Sequence, residues 1–420
     1  MCLRSKIMKK SVIITTCILG LVMTGCSSLT GETKTLESSN VTLVTKVLPY
    51  GEVGYAIVCD FGDTVDSSKL NEKSFNVEVD INNEPQKRNI KKIYTNNKIE
   101  TSEKENEGKY VVIELDTEDE NSSTIVFEEE RFLNHRENID YTVTQNVDIN
   151  TSNGNTFKAS EDKIKSSNIV TPVVDDFKKM TYKDSSGNSM DYRLFEPKVE
   201  EGKKYPLVLL LHGSGERGSD NDMQLLGNEG GTTWANPELQ AKNPSYVLAP
   251  QAKAAEELSM YWTEEPNYTL MMDILKETIE KYDIDENRIY VVGMSNGGIG
   301  TWNVIEKNPE LFAAAVPICG IGNIKNMDLK TEYKPLKDYS VFKDIKDMPI
   351  WIFHAEDDPL VDVRYSRDAQ KAIKKLGGTS VKYTEYAEGT VMPMGHFSWV
   401  PALQDQKMIE WLFNQSKDNN

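Results

Sequence analysis

From residue 41 to residue 147 apolar side chains recur at alternate positions in short runs, separated by polar breaks. The segments 41–48, 55–61, 75–81, 90–94, 110–115, 124–127 and 141–147 each have the length of a strand. Asn, Asp, Gly, Glu and Lys fill the breaks, and no helical period intervenes. Seven such pieces predict an all-β, antiparallel Ig-like sandwich over residues 41–168. The run 97–109 is nearly all polar and reads as an exposed loop. The polar stretch 150–168 is expected to end the domain as a linker.

The pattern then changes. Segments 207–211, 289–292, 313–319, 350–353 and 381–386 are mostly continuous apolar runs, as strands covered on both faces require. Helical periods lie between them. Met271, Ile274, Leu275, Ile279 and Tyr282 share one face, as do Ala369, Ile373 and Leu376 ahead of the stop signal Gly377-Gly378. Met408, Trp411 and Leu412 mark a last helix. This alternation predicts an α/β domain over 169–420, with a doubly wound, mostly parallel sheet. A chain of 420 residues with two such patterns holds two cores.

Residues 1–25 follow neither pattern. Arg4, Lys6, Lys9 and Lys10 precede an apolar run from Ser11 to Met23, which Thr24-Gly25-Cys26 closes. The run is too short for a stable membrane span and suits a signal peptide. Small residues followed by cysteine resemble a bacterial lipoprotein signal. That resemblance implies that Cys26 is lipidated and that the protein is exported and held on the extracellular face of the membrane. Met23 departs from the usual aliphatic residue. A polar Ser/Thr-rich tether over 26–40 is expected to follow. An ordinary cleaved signal with an incidental cysteine is the alternative.

The formal net charge is −18, and loss of the four positive charges in residues 1–25 takes it to −22. A chain this acidic repels phosphate backbones, which excludes nucleic acid as a natural partner. Cys59 and Cys319 each sit inside an apolar run and are expected to be buried free thiols. No cysteine or histidine spacing suits a metal, and no cofactor is implied.

The chemistry centres on Gly293-Met294-Ser295-Asn296-Gly297, directly after the apolar run 289–292 and before a helical stretch. A strand, a glycine-pinched turn and a helix would hold the Ser295 hydroxyl exposed, where a base can activate it. Four histidines are candidates for that base. His135 belongs to the β domain, His212 ends a strand as His-Gly and shapes the next turn, and His354 stands only four residues before Asp358. His396, on a loop before the last helix, remains. Sites of this kind run serine, acid, histidine along the chain, which Ser295, Asp358 and His396 satisfy. Glu356, Asp357, Asp358 and Asp362 crowd one loop; Asp358 is favoured over Asp357 because Pro359-Leu-Val361 would pin it against the sheet edge. Oxyanion donors are expected at the N–H of Asn296 and in the turn His212-Gly-Ser-Gly-Glu-Arg-Gly218, at Ser214.

Four stretches resemble one family: Pro206-Leu-Val-Leu-Leu-Leu-His-Gly-Ser-Gly-Glu-Arg-Gly218, Val247-Leu-Ala-Pro-Gln251, Arg288-Ile-Tyr-Val-Val-Gly-Met-Ser-Asn-Gly-Gly298 and Ala313-Ala-Ala-Val-Pro-Ile-Cys-Gly320. They are similar to bacterial secreted α/β-hydrolase esterases with an Ig-like N-terminal domain. These are often labelled "predicted peptidase" and stand near the phospholipase/carboxylesterase and feruloyl-esterase branches. The resemblance covers about residues 175–415 and implies a Ser295–His396–Asp358 triad. Asn296 in place of a more frequent Met, and Val400 where Trp-Asp-Pro is common, are departures expected to bear on the acyl pocket.

The expected activity is hydrolysis of short acyl or aryl esters, including esters carried on polysaccharides. No long insertion caps the strands. Trp234, Tyr261, Trp262 and Trp399 either line a sugar or aryl subsite or pack helices on the sheet. A serine peptidase with the same triad, and a catalytically inactive surface-binding protein, are the alternatives. The β domain is left open between spacer, carbohydrate binder and oligomer contact.

Overall fold

The computed structural model describes residues 31–253, 259, 261–322 and 333–419. The expected signal segment and Cys26 lie outside the described residues. Among those described, no helix is long and apolar enough to cross a membrane.

The N-terminal domain is a two-sheet sandwich. Its larger sheet orders Asn168–Val170, Val41–Leu48, Gly51–Asp60, Tyr110–Leu115 and Ile90–Asn96. The facing sheet orders Ile164–Lys165, Tyr141–Gln145, Phe75–Ile81 and Glu84–Arg88. Alternation explains the core: Phe75, Val77 and Val79 point inward against Leu43, Ile57 and Ile113, and all six are buried.

Two expectations change here. The polar stretch before residue 41 is no free tether from residue 33 onward, because Thr33–Lys34 pairs in parallel with Thr156–Phe157 and Leu36 is buried. The stretch 150–168 is likewise no linker. Ile164–Lys165 pairs with Tyr141–Gln145, and Asn168–Val170 pairs in parallel with Val41–Leu48. Edge strands join a sheet through backbone hydrogen bonds and need no apolar face, so polar composition hides them. Glu84–Arg88 was missed for the same reason. It is an edge strand reached through a turn whose Asn82 and Asn83 both have positive φ.

The second domain carries eight strands, here β1 (Lys178–Lys183), β2 (Ser189–Phe195), β3 (Tyr205–Leu211), β4 (Tyr246–Gln251), β5 (Ile284–Met294), β6 (Ala314–Ile318), β7 (Ile350–Ala355) and β8 (Val381–Tyr386). They lie in the order β1-β2-β4-β3-β5-β6-β7-β8. All neighbours from β4 to β8 run parallel, and β2 is antiparallel to both of its own. The apolar run in β3 is continuous because its residues serve two layers. Leu207, Leu209 and Leu211 face the layer holding helices Asn267–Lys281, Asn296–Lys307 and Arg364–Lys375. Val208 and Leu210 face Trp234 and the C-terminal helix Gln406–Phe413. The mostly parallel, two-sided sheet is the α/β-hydrolase arrangement, with its strand C-termini opening at one end toward the sandwich.

Candidate active site

Strand β5 delivers Ser295 to the tip of a turn that only small residues permit. A Cβ on Gly297 would sit 1.8 Å from the Leu211 carbonyl oxygen, and one on Gly293 would sit 2.1 Å from that of Gly297. Ser295 itself has φ 55° and ψ −119°, a conformation that costs about 1–3 kcal/mol and lifts the hydroxyl clear of the sheet. The turn is held because the Ser295 N–H donates to the Ile318 carbonyl at 3.0 Å and to Cys319 Sγ at 3.3 Å. Helix Asn296–Lys307 starts immediately after.

His396 arrives from a short turn at Gly395–Phe397. Its Nε2 lies 3.0 Å from Ser295 Oγ, and its Nδ1 lies 2.9 and 3.1 Å from the two oxygens of Asp358. An Nδ1–H tautomer fits both contacts, leaving Nε2 to accept the serine proton. Asp358 follows β7, and its Oδ1 also accepts the N–H groups of Leu360 and Val361, at 2.8 and 2.9 Å. Burial pushes this carboxyl up. Hydrogen bonds from His354 and His396, the charge of His396 and the Val361 N–H outweigh burial and hold it well below the usual carboxylate range. Asp357 points elsewhere, accepting the Gly389 N–H at 2.9 Å.

His354, rejected above as a base, has a place that sequence reasoning missed. Its Nε2 lies 3.1 Å from Asp358 Oδ2 and 2.9 Å from the Val361 carbonyl, while its Nδ1 lies 2.8 Å from Ser366 Oγ. It braces the acid from behind. A histidine ending a strand four residues before the acid was the signal available. His135 pairs with Glu128 at 2.7 Å on the β domain.

The turn after β3 lies against the nucleophile: a Cβ on Gly213 would stand 3.6 Å from Ser295 Cβ. Ser214 and Asn296 are both buried, and Asn296 Nδ2 reaches Ser214 Oγ at 3.5 Å and the Ser259 carbonyl at 2.7 Å. His212 is fully buried; its Nε2 accepts the Ala252 N–H at 3.1 Å, and its Nδ1 lies 2.6 Å from the Gly213 carbonyl. Burial pulls its pKa down to about 4, so it is neutral and structural. Tyr261 OH donates to the Gly213 carbonyl at 2.6 Å, and Trp262 Nε1 donates to that of His212 at 3.0 Å. These two rings and Trp234 are buried, and of the four aromatic candidates Trp399 alone lines the site. The side chains of Asn296 and Val400 do not line it: that of Asn296 turns to the Ser259 carbonyl, and Val400 packs in the C-terminal layer.

Glu216, in the same turn, was also missed. It is buried, accepts from Asn228 Nδ2 at 3.2 Å, and accepts from Asn134 Nδ2 of the sandwich at 3.3 Å. Burial pushes its carboxyl up to about 7. Cys59 and Cys319 are buried free thiols. Donor atoms of Cys319, Asp358 and His396 lie within 4.8 Å of one another. The histidine Nδ1 already faces the carboxylate and the thiol already accepts the Ser295 N–H. The group therefore reads as a serine relay with a packed neighbour. Ser295 and His396 open into a cavity of about 700 Å³. Such a relay can draw the proton from a serine hydroxyl as it attacks a carbonyl carbon.

Known proteins match both halves. Residues 40–158 match the esterase Ig-like N-terminal domain, and residues 266–389 match the prolyl oligopeptidase family. A thermostable esterase of known structure shares 42% identity and a TM-score of 0.82, over 90% of this chain and 100% of that one. A dipeptidyl-peptidase 5 from Porphyromonas gingivalis is 26% identical over 173 residues, which are 39% of this chain. The match spans only 24% of that peptidase's length. A CE1 ferulic acid esterase from Anaeromyces mucronatus aligns at 17% identity and a TM-score of 0.43, over 56% of this chain and 91% of that one.

Proposed function

Since the chain belongs to the α/β-hydrolase esterases that carry an Ig-like N-terminal domain, we propose that it is a serine carboxylesterase acting on short acyl or aryl esters through an acyl-enzyme. The observation that carries this reading is the Ser295–His396–Asp358 relay, with contacts of 3.0 and 2.9 Å. His396 Nε2 takes the hydroxyl proton as Ser295 Oγ attacks the ester carbonyl. The backbone N–H groups of Asn296 and Ser214 receive the oxyanion, each worth about 3 kcal/mol. The imidazolium then protonates the departing alcohol, and Asp358 holds its tautomer and offsets its charge. Water activated by the same imidazole releases the acid and frees the serine.

Esters displayed on polysaccharides fit a site over which the described residues place no long cap. The basic start, the apolar run 11–23 and Thr24-Gly25-Cys26 support export with lipid attachment at Cys26 on the extracellular face. The match of residues 266–389 to the prolyl oligopeptidase family favours a second reading, a peptidase using the same relay.

The test sets p-nitrophenyl acetate and phenyl esters against peptide anilides, with fluorophosphonate labelling of wild type and Ser295→Ala. Ester turnover with labelling that vanishes in Ser295→Ala is expected. Cleavage of anilides alone would move the assignment to the peptidase, and absence of labelling in the folded protein would leave only a binding role.

A further inference from the structure

The cavity in front of Ser295 is not the property of the hydrolase domain alone. Pro49, Tyr50, Ser123, Ile125, Phe127, Phe132 and Asn134 of the sandwich line it together with Ser214, His396 and Trp399. Of the eight large apolar side chains left exposed among the described residues, five (Tyr50, Phe127, Leu360, Met392 and Met394) rim this one opening. Singly scattered apolar residues need no explanation, whereas a collar around a nucleophile marks a place where an apolar group is bound.

The sandwich wall is fixed in register with the chemistry. The two-stranded hairpin Ile125–Glu128 with Leu133–Arg136 is tied at its base, where Arg136 makes two hydrogen bonds to buried Glu52 at 2.6 and 2.7 Å. It is tied again at its tip. Arg217 Nη2 donates to the carbonyl of Arg131 at 2.7 Å, and Arg217 Nε donates to that of Ser214, in the oxyanion turn, at 2.9 Å. Phe132 is held at φ 54°, and its ring meets Phe127 edge-on with centroids 5.0 Å apart. Tyr50 OH donates to the Met392 carbonyl at 2.8 Å, and its ring contacts Phe397, which also lines the cavity. One arginine thus links the turn beside Ser295 to the strained tip of the hairpin. A domain serving only as a spacer has no use for that linkage.

We propose that the Ig-like domain is a specificity element of the esterase. Tyr50, Phe127 and Phe132 form the wall against which the larger apolar group of the substrate packs, so that favoured esters carry an aryl group or an alkyl chain longer than that of an acetyl or ethyl group. This rests on the ester-hydrolase reading and sharpens it toward the bulkier substrates. An acetyl group would leave most of a 700 Å³ apolar cavity unfilled. Each added methylene that packs there contributes about a threefold to fourfold gain in kcat/KM.

The experiment measures kcat/KM for p-nitrophenyl acetate, butyrate, hexanoate and octanoate, and for ethyl, hexyl and phenyl acetate, in wild type, Phe127→Ala and Tyr50→Ala. Phe127 and Tyr50 are both exposed, so neither change empties a core. Wild type is expected to rise along at least one series. Each variant is expected to lose about tenfold on the longest or aryl member of the series and less than twofold on ethyl acetate, mainly through KM. A profile that stays parallel to wild type, whether lowered uniformly or unmoved, overturns the assignment of this wall while the esterase reading stands. Cleavage of no ester by a chain that fluorophosphonate still labels overturns both.

Discussion

Replacing Glu216 by Gln isolates one buried charge whose energetics can be worked in advance. The carboxyl is fully enclosed between the turn after β3 and the sandwich, where burial raises its pKa from an ordinary 4.5 to about 7 against opposing hydrogen bonds from its own N–H, the Gly213 N–H, Asn228 and Asn134. Between those two pH values the unfolded chain has released the proton and the folded one retains it. Stability is therefore complete below 4.5 and drains away as pH rises to about 7, by about 3 kcal/mol at 1.36 kcal/mol per pH unit. Glutamine keeps an acceptor for Asn134 and Asn228 but cannot ionise. Any mismatch it makes with the Gly213 N–H is a constant offset at every pH. Urea unfolding followed by tryptophan fluorescence is the natural assay, since all six tryptophans lie between residues 234 and 411 and report the hydrolase domain. From pH 4.5 to pH 8 the stability of Glu216→Gln relative to wild type should move by about 3 kcal/mol in the variant's favour. Other titrating groups cancel in that difference. A flat difference would mean that the carboxyl ionises freely, and that the sandwich does not seal this turn from water.

Three further outcomes follow from the geometry. Asp358→Asn should lower kcat about 10⁴-fold by losing the partner that fixes the His396 tautomer, while Asp357→Asn, whose carboxylate faces the Gly389 N–H, should stay within about tenfold of wild type; steady-state kinetics on one ester would expose equal losses as a wrong choice of acid. His354→Ala should cut kcat about tenfold with KM unchanged, because the buried carboxylate loses one charge-assisted partner worth about 1.5–3 kcal/mol; an unchanged kcat would remove His354 from the support of the site. Arg88→Ala should destabilise the sandwich by about 3–5 kcal/mol, since Arg88 is buried, pairs with Asp119 at 2.9 Å and also reaches Tyr141, and its loss strands the carboxylate; a thermal transition unchanged by the substitution would contradict this.

What could be read from the chain depended on whether a residue's task leaves a local trace. The strands β3, β5, β6, β7 and β8 were legible because burial on two faces writes a continuous apolar run. Strand β1 and the edge strands at 84–88 and 164–165 were not, because an edge needs only its backbone, and β2, paired on both sides, mixes buried Tyr192 and Arg193 with half-buried Asp191 and so writes no continuous apolar run. Ser295, Asp358 and His396 were legible because attack, orientation and proton transfer impose residue type and chain order together. His354 and Glu216 impose neither. A brace behind an acid can be any donor, and a glutamate between Gly215 and Arg217 looks like solvated loop until Asn134 arrives from 82 residues away to enclose it. The same holds for Tyr50, Phe127 and Phe132, which each look like ordinary sandwich residues in their own strands and turns. Their meaning lies in the docking of one domain on the other, and no periodicity within either domain can encode that. The Ser295–His396–Asp358 relay is therefore readable from one domain's sequence, whereas the cavity it faces is walled by two.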